Sequence, residues 1–314
     1  MTQINLMALR HSAFYSPYLM TIAGGYLRDE GLEPRYSLAT PEHGVVEAIR
    51  AGDCHVAQSA VATSFAALER GETLDIVHFA QINGRDGFFL AARKPDPYFS
   101  WDKLVGQRVL VDHFFQPLAM FKYALHRMGV DYAALQVIDA GEVEAMERAF
   151  RADAADYVHL QGPLPQQLAH EGIAYVVATL GDAVGPVAFS SLCASRDWLG
   201  SDMARAFMRA YHKSVGYVIA APAEEIAARM HEVGFFITIH RNVLTETINA
   251  YQRLGCWEAD PMISRHGYEN LLRVFRHSGL IQRDHAYELA VVPPPGWGIR
   301  AAASGRGAPP AAGD

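Results

Sequence analysis

Two hydrophobic rhythms alternate along this chain: short continuous apolar runs, and longer stretches with apolar residues three and four positions apart. Residues 4–9 read as a first buried strand, followed by the loop 10–15. Pro17 then stands where the first turn of a helix tolerates it, with Ser16 as N-cap. Leu19, Ile22, Ala23, Tyr26 and Leu27 share one face of that helix, and Gly31 stops it. Gly24-Gly25 inside it costs about 1–2 kcal/mol against alanines, which points to a close backbone approach there. From residue 26 to Gly71 a helix, a strand, a helix, a strand and a third helix follow with almost no spare residues. Short αβ units of this kind build a mostly parallel sheet, and such sheets bind ligands beyond the carboxyl ends of their strands.

Residues 75–80 and 88–92 are apolar runs consistent with strands, separated by the turn-rich stretch 81–87, where two crossings between domains could sit. Residues 94–97 break the pattern, and 101–112 lead a new strand out of a short helical turn. A second αβ series runs through a helix at 118–128, a strand at 136–138, a helix at 143–150, and strands at 156–160 and 174–178. Residues 187–194 are a further apolar run. Helices at 202–220, 223–231, 243–254 and 264–278 complete the fold. Pro293-Pro294-Pro295 and the Ala/Gly/Pro-rich segment from Ala301 predict a flexible tail.

Composition narrows the function classes. The chain has 314 residues, 50% hydrophobic and 19% charged, as in an ordinary globular protein with a core that needs no staple. The net charge of −7 and the lack of any Lys/Arg run argue against nucleic acid as a partner. Cys54, Cys193 and Cys256 are odd in number and lack CxxC spacing, so they read as small buried hydrophobes. The 14 histidines form neither HxH nor HExxH, and no metal or cofactor is expected. No stretch approaches a membrane span. The first residues lack the features of a signal peptide, so the expected location is cytoplasmic as the sequence is written, and periplasmic if it is a processed form.

Three stretches carry a family resemblance: the helix end 25–33, the Glu47-Ala48-Ile49-Arg50-Ala51-Gly52-Asp53 turn continuing to Ala57, and the Trp101-Asp102-Lys103-Leu104-Val105-Gly106 entry to the second αβ series. Their order and spacing over residues 1–280 resemble the type II periplasmic-binding-protein superfamily. The branch is that of sulfonate-, nitrate- and thiamine-precursor (pyrimidine)-binding proteins of ABC transporters and the fungal pyrimidine-precursor synthases. The resemblance implies an α/β, two-lobed fold with mixed, mostly parallel sheets and a ligand cleft closed by a hinge. Lobe one would hold residues 1–86 plus 190–290, lobe two 87–189, and the tail 291–314.

Carried over by position, the cleft candidates are Ser12, Phe14 and Tyr15 after the first strand, Ser59 after the third, and Gln81 and Arg85 near the crossing. His113, Phe114, Phe115 and Gln116 open the second lobe, and His159 and Gln161 follow a later strand. Aromatic rings beside hydroxyl and amide groups suit a flat, polar-edged ligand. Arg10 and Arg85 could clamp an anionic group, and His11, with His113 and His159, could supply a hydrogen bond or a base. The same scaffold hosts a desulfinase with a cysteine in the first loop and synthases with a cysteine-rich iron motif. This chain has Ser12 at the first position and scattered cysteines, so neither chemistry transfers, and Ser12 would need a histidine base to act as a nucleophile. The expectation is a binding protein that hands a small organic ligand, anionic or aromatic-heterocyclic, to an ABC permease. The alternative is a cytoplasmic enzyme or sensor of desulfinase, decarboxylase or pyrimidine-synthase type on the same fold.

Overall fold

A computed structural model describes residues 1–296, and most of the expected tail lies outside the described residues. Lobe one opens with β1 (Thr2–Ala8), β2 (Leu32–Leu38), β3 (Val56–Ser59) and β4 (Ile76–Asn83). The chain then builds β5 (Phe88–Ala92), β6 (Arg108–Val111), β7 (Gln136–Ile138), β8 (Tyr157–Gln161) and β9 (Tyr175–Thr179) before returning in β10 (Ser190–Ser195). They form two sheets, β2-β1-β3-β10-β4 and β7-β6-β8-β5-β9.

The two sheets share one design. β1 runs parallel to β2 and β3, and β6 runs parallel to β7 and β8. The fourth strand of each sheet is antiparallel to its neighbours, and it is the strand that has just crossed from the other lobe: β5 after β4, and β10 after β9. Ser191 therefore pairs with Ser59, and Phe88 with Gln161. Carboxyl ends of parallel strands and amino ends of the crossing strands meet along one edge of each sheet, and the two edges face each other.

The crossing segments are tied together. The Val187 N–H donates to Gly84 O and the Phe189 N–H to Asn83 O, while Tyr251 Oη donates to Gly87 O. Gly87 and Gly181 are needed for close approach: a Cβ on Gly87 would lie 2.3 Å from the Phe14 ring, and one on Gly181 would lie 2.6 Å from Asp86 O. Asp86 is fully buried in this joint, with Oδ1 accepting the Phe88 N–H. Burial pushes its carboxyl up to about 8.

Several elements differ from the sequence expectation for local reasons. Ser16 is not an N-cap. A short 3-10 turn, Ala13–Tyr15, precedes the helix Ser16–Ala23, so Ser12 caps the turn by accepting the Phe14 N–H and Ser16 Oγ donates to Ala13 O. The helix does not run on to Gly31. Gly25 takes the left-handed φ of +76°, and a separate turn of helix, Tyr26–Asp29, follows it. Residues 81–83 extend β4 rather than forming the turn, because Gln81 and Asn83 are buried and bonded on both sides. The helix Phe115–Arg127 starts three residues ahead of the expected 118.

Most of the core is one cluster spanning both lobes, with smaller clusters behind each sheet. All three cysteines are free and buried. At the carboxyl end the chain stays packed past residue 290: Val291 bridges to His78, and the Val292 N–H donates to His78 O.

Candidate functional site

The facing edges enclose a cleft with two connected chambers. The inner chamber, about 390 Å³, is walled from lobe one by Leu9, Tyr15, Gln58, Ala60 and Ser190, with Phe189 on the crossing segment beside them. Lobe two contributes Phe88, Phe114, Phe115, Gln116 and Gln161. Phe114 and Phe115 leave their strand end with half-exposed rings, and Phe115 packs edge-on to Phe275 with centroids 5.0 Å apart. The wall is aromatic on both sides with amides between, the lining that orients a flat ligand.

Arg10 spans the two lobes. Its Nη1 donates to Asp112 Oδ2 at 2.8 Å, and its guanidinium lies 4.8 Å from the centre of the Phe114 ring. Asp112 holds the start of the next helix with its other oxygen, accepting the Phe114 N–H at 2.8 Å. A second tie joins the lobes where Ser12 Oγ donates to Gly162 O at 2.8 Å. The expected two-arginine clamp is not formed. Arg85 sits on the crossing segment, and its Nη1 reaches Gly181 O at 3.3 Å instead of the cleft.

The outer chamber, about 590 Å³, shares Arg10, Glu142 and Gln161 with the inner one and adds His11, Ser12, Glu144 and the loop around Phe236–Ile239. His11 stacks on Phe236 at 4.3 Å and meets Tyr36 Oη through Nδ1 at 3.1 Å. Burial lowers the His11 pKa, which favours the neutral ring. Phe236 holds a left-handed φ of +58°, a conformation uncommon for a bulky residue.

Other candidates lie away from the cleft walls. Phe14 is fully buried against Phe189 and Tyr251, 5.4 and 5.0 Å between centroids. Ser59 is buried and bonds Thr63 Oγ1, and Gln81 is buried in β4 with its backbone bonded to Pro261 and Tyr211. His113 Nδ1 bonds Val111 O at 2.7 Å. His159 lies behind the wall, stacked on Phe88 at 4.6 Å and near Phe121 at 4.9 Å. Burial lowers its pKa to about 3. Ser12, His11 and His113 thus each have other partners, and Ser12 is bonded to neither histidine; the serine that does meet a histidine is the buried Ser191, with Oγ 2.8 Å from His78 Nδ1. Among the described residues, no three His, Cys, Asp or Glu side chains group as metal ligands, and no helix is long and apolar enough to cross a membrane.

Gln58, Phe88, Glu142, Phe189 and Ser190 line the cleft and escape the sequence reading. Phe88, Phe189 and Ser190 sit at amino ends of the antiparallel strands. The rule about carboxyl ends of parallel strands does not reach them. The available signal was the pair of crossings itself, since each returning strand must begin at the cleft.

Two lobes of this strand order, each completed by a strand from the other and closing on an aromatic cleft, define the type II periplasmic-binding-protein fold. The chain belongs to the family described as NMT1/THI5 like, whose model matches residues 13–225. YtlA of Bacillus subtilis, named as a binding protein, is 23% identical over 295 residues, covering 93% of this chain and 88% of that one. The fold is shared with the periplasmic aliphatic sulphonate binding protein SsuA of Escherichia coli, with a TM-score of 0.72 and 12% identity over 94% of this chain and 93% of that one. It is also shared with the alkanesulfonate-binding SsuA of Xanthomonas axonopodis pv. citri bound to MOPS, with a TM-score of 0.68 and 14% identity over 93% and 99% of the two chains.

Proposed function

We propose that this chain is a substrate-binding protein that holds one small, flat organic molecule between its lobes, closing about the crossing segments and handing the ligand to an ABC permease. The observation that carries the reading is the inner chamber, where Tyr15, Phe88, Phe114, Phe115 and Phe189 surround a space of about 390 Å³ with amides at its margins. The fold shared with sulfonate-binding proteins adds weight, as does the 23% identical relative named as a binding protein. Periplasmic residence belongs to the same proposal. An anionic ligand is the weaker half of the sequence expectation, because Arg10 is already bonded to Asp112 and Arg85 points elsewhere.

Native mass spectrometry of the protein with a pooled panel of sulfonates, pyrimidines and aromatic carboxylates tests this. One compound retained at one equivalent, and lost in an Ala60→Phe variant that fills the chamber but melts like the wild type, is the expected result. Retention undiminished by that substitution would place the ligand elsewhere.

A further inference from the structure

The polar side chains of the cleft are unevenly engaged. Several of their donors are committed to the protein: Ser12 Oγ donates to Gly162 O, Thr63 Oγ1 to Ala60 O, and Ser190 Oγ to Asn83 Oδ1. Gln58 Nε2 reaches Ser59 O, and Gln116 Nε2 donates to Phe189 O at 2.8 Å. The Arg10 guanidinium is bonded to Asp112.

The buried group left without a partner in the inner chamber is an acceptor. Gln116 is 5% exposed and lines the inner chamber, and with its Nε2 fixed on Phe189 O its other amide atom must be the oxygen. That Oε1 has no hydrogen-bond partner among the described residues, and a buried acceptor left so costs about 1–3 kcal/mol. In the outer chamber Glu142 and Glu144 form no ion pair among the described residues. Glu142 lies within electrostatic reach of Arg10, which Asp112 already holds. Arg10, Asp112, Glu142 and Glu144 together leave the cleft acidic.

We propose, building on the binding-protein reading above, that the ligand is a donor rather than an anion: a flat ring seated by the inner aromatics, carrying an N–H toward Gln116 Oε1 and a protonated amine arm into the outer chamber against Glu142 and Glu144. A sulfonate, nitrate or carboxylate, which only accepts, meets two carboxylates beside an arginine whose charge Asp112 already balances. The outer chamber explains the size of the site as well, since a single heterocycle fills only the inner part. The flexible reach of an amine arm takes it past Arg10 and Gln161, which line both chambers.

Three indoles that share a ring and differ in charge test this by isothermal titration: indole, tryptamine and indole-3-propionate. Tryptamine is expected to bind about tenfold more tightly than indole, the effect of a charge-assisted hydrogen bond, and indole-3-propionate more weakly than either. In Glu142→Gln/Glu144→Gln, a surface double variant, the preference for tryptamine over indole should collapse. Indole and tryptamine binding equally, or indole-3-propionate binding best, would overturn the donor inference and leave the aromatic cleft standing. Failure of all three to bind would remove the aromatic-cleft reading and this inference with it.

Discussion

Asp86 is a carboxyl displaced far from ordinary behaviour by its burial, and its consequence is a slope of stability with pH. A carboxyl pushed up to about 8 by burial keeps its proton in the folded chain, while the unfolded chain releases it near the usual carboxylate value of about 4. Between those values the unfolded state binds fewer protons, so Asp86 costs stability progressively as pH rises from about 4 to about 8, and no further above that. His78 and His159, lowered to about 3 by burial, act from the other side: they keep their neutral form and cost stability as pH falls below about 6.5. Asp86→Asn isolates the first effect. The variant should melt close to the wild type near pH 4.5 and several degrees higher at pH 8, whereas a constant difference across that range would show that Asp86 is ionised in the folded state. At this scale the sequence was only partly legible. Arg10, Tyr15, Phe114, Phe115, Gln116 and Gln161 come to the inner cleft and His11 and Ser12 to the outer chamber, because position after a strand fixes their place. Phe14, one residue from Tyr15, turns into the core, since the 3-10 turn that points one ring inward cannot be read from spacing.

At the scale of elements, the strands and the long carboxyl-terminal helices follow their apolar rhythm to within a few residues, because burial on one or both faces leaves little choice of period. The misplacements gather where a bond outside the element decides its end. Ser12 and Ser16 exchange capping duties around a 3-10 turn, and β4 runs on to Asn83 because it pairs with the returning β10. The crossing is where such constraints are tightest. Gly181 meets Asp86 O, a backbone atom that cannot rotate away, so Gly181→Ala should destabilise the chain by about 1–3 kcal/mol, the usual penalty of overpacking. Urea denaturation with an unchanged slope and a lowered midpoint is the expected observation. A midpoint equal to that of the wild type would mean that the crossings separate easily and do not bear on one another as described.

Across the whole molecule, the two sheets repeat one strand order without any sequence repeat, which is why the architecture was legible through a resemblance and not through periodicity alone. The cleft follows from that order: two mixed sheets present the carboxyl ends of their parallel strands to each other, and the returning strands supply the remaining wall. The lobes are joined across the cleft by Arg10 with Asp112 and by Ser12 with Gly162, and at the crossings by the paired backbones of Gly84 with Val187 and Asn83 with Phe189. The lining of the inner chamber offers aromatic rings and amides that suit a small flat molecule. Binding without transformation is the central proposal. Its most direct test is to incubate a known amount of the protein with the compound it retains, denature the mixture after long incubation, and weigh what returns by mass spectrometry. The account predicts that at most one equivalent is held and that all of it is recovered at its original mass. Loss well beyond one equivalent, with a new mass growing in, would contradict it and make the chain an enzyme on a binding-protein fold.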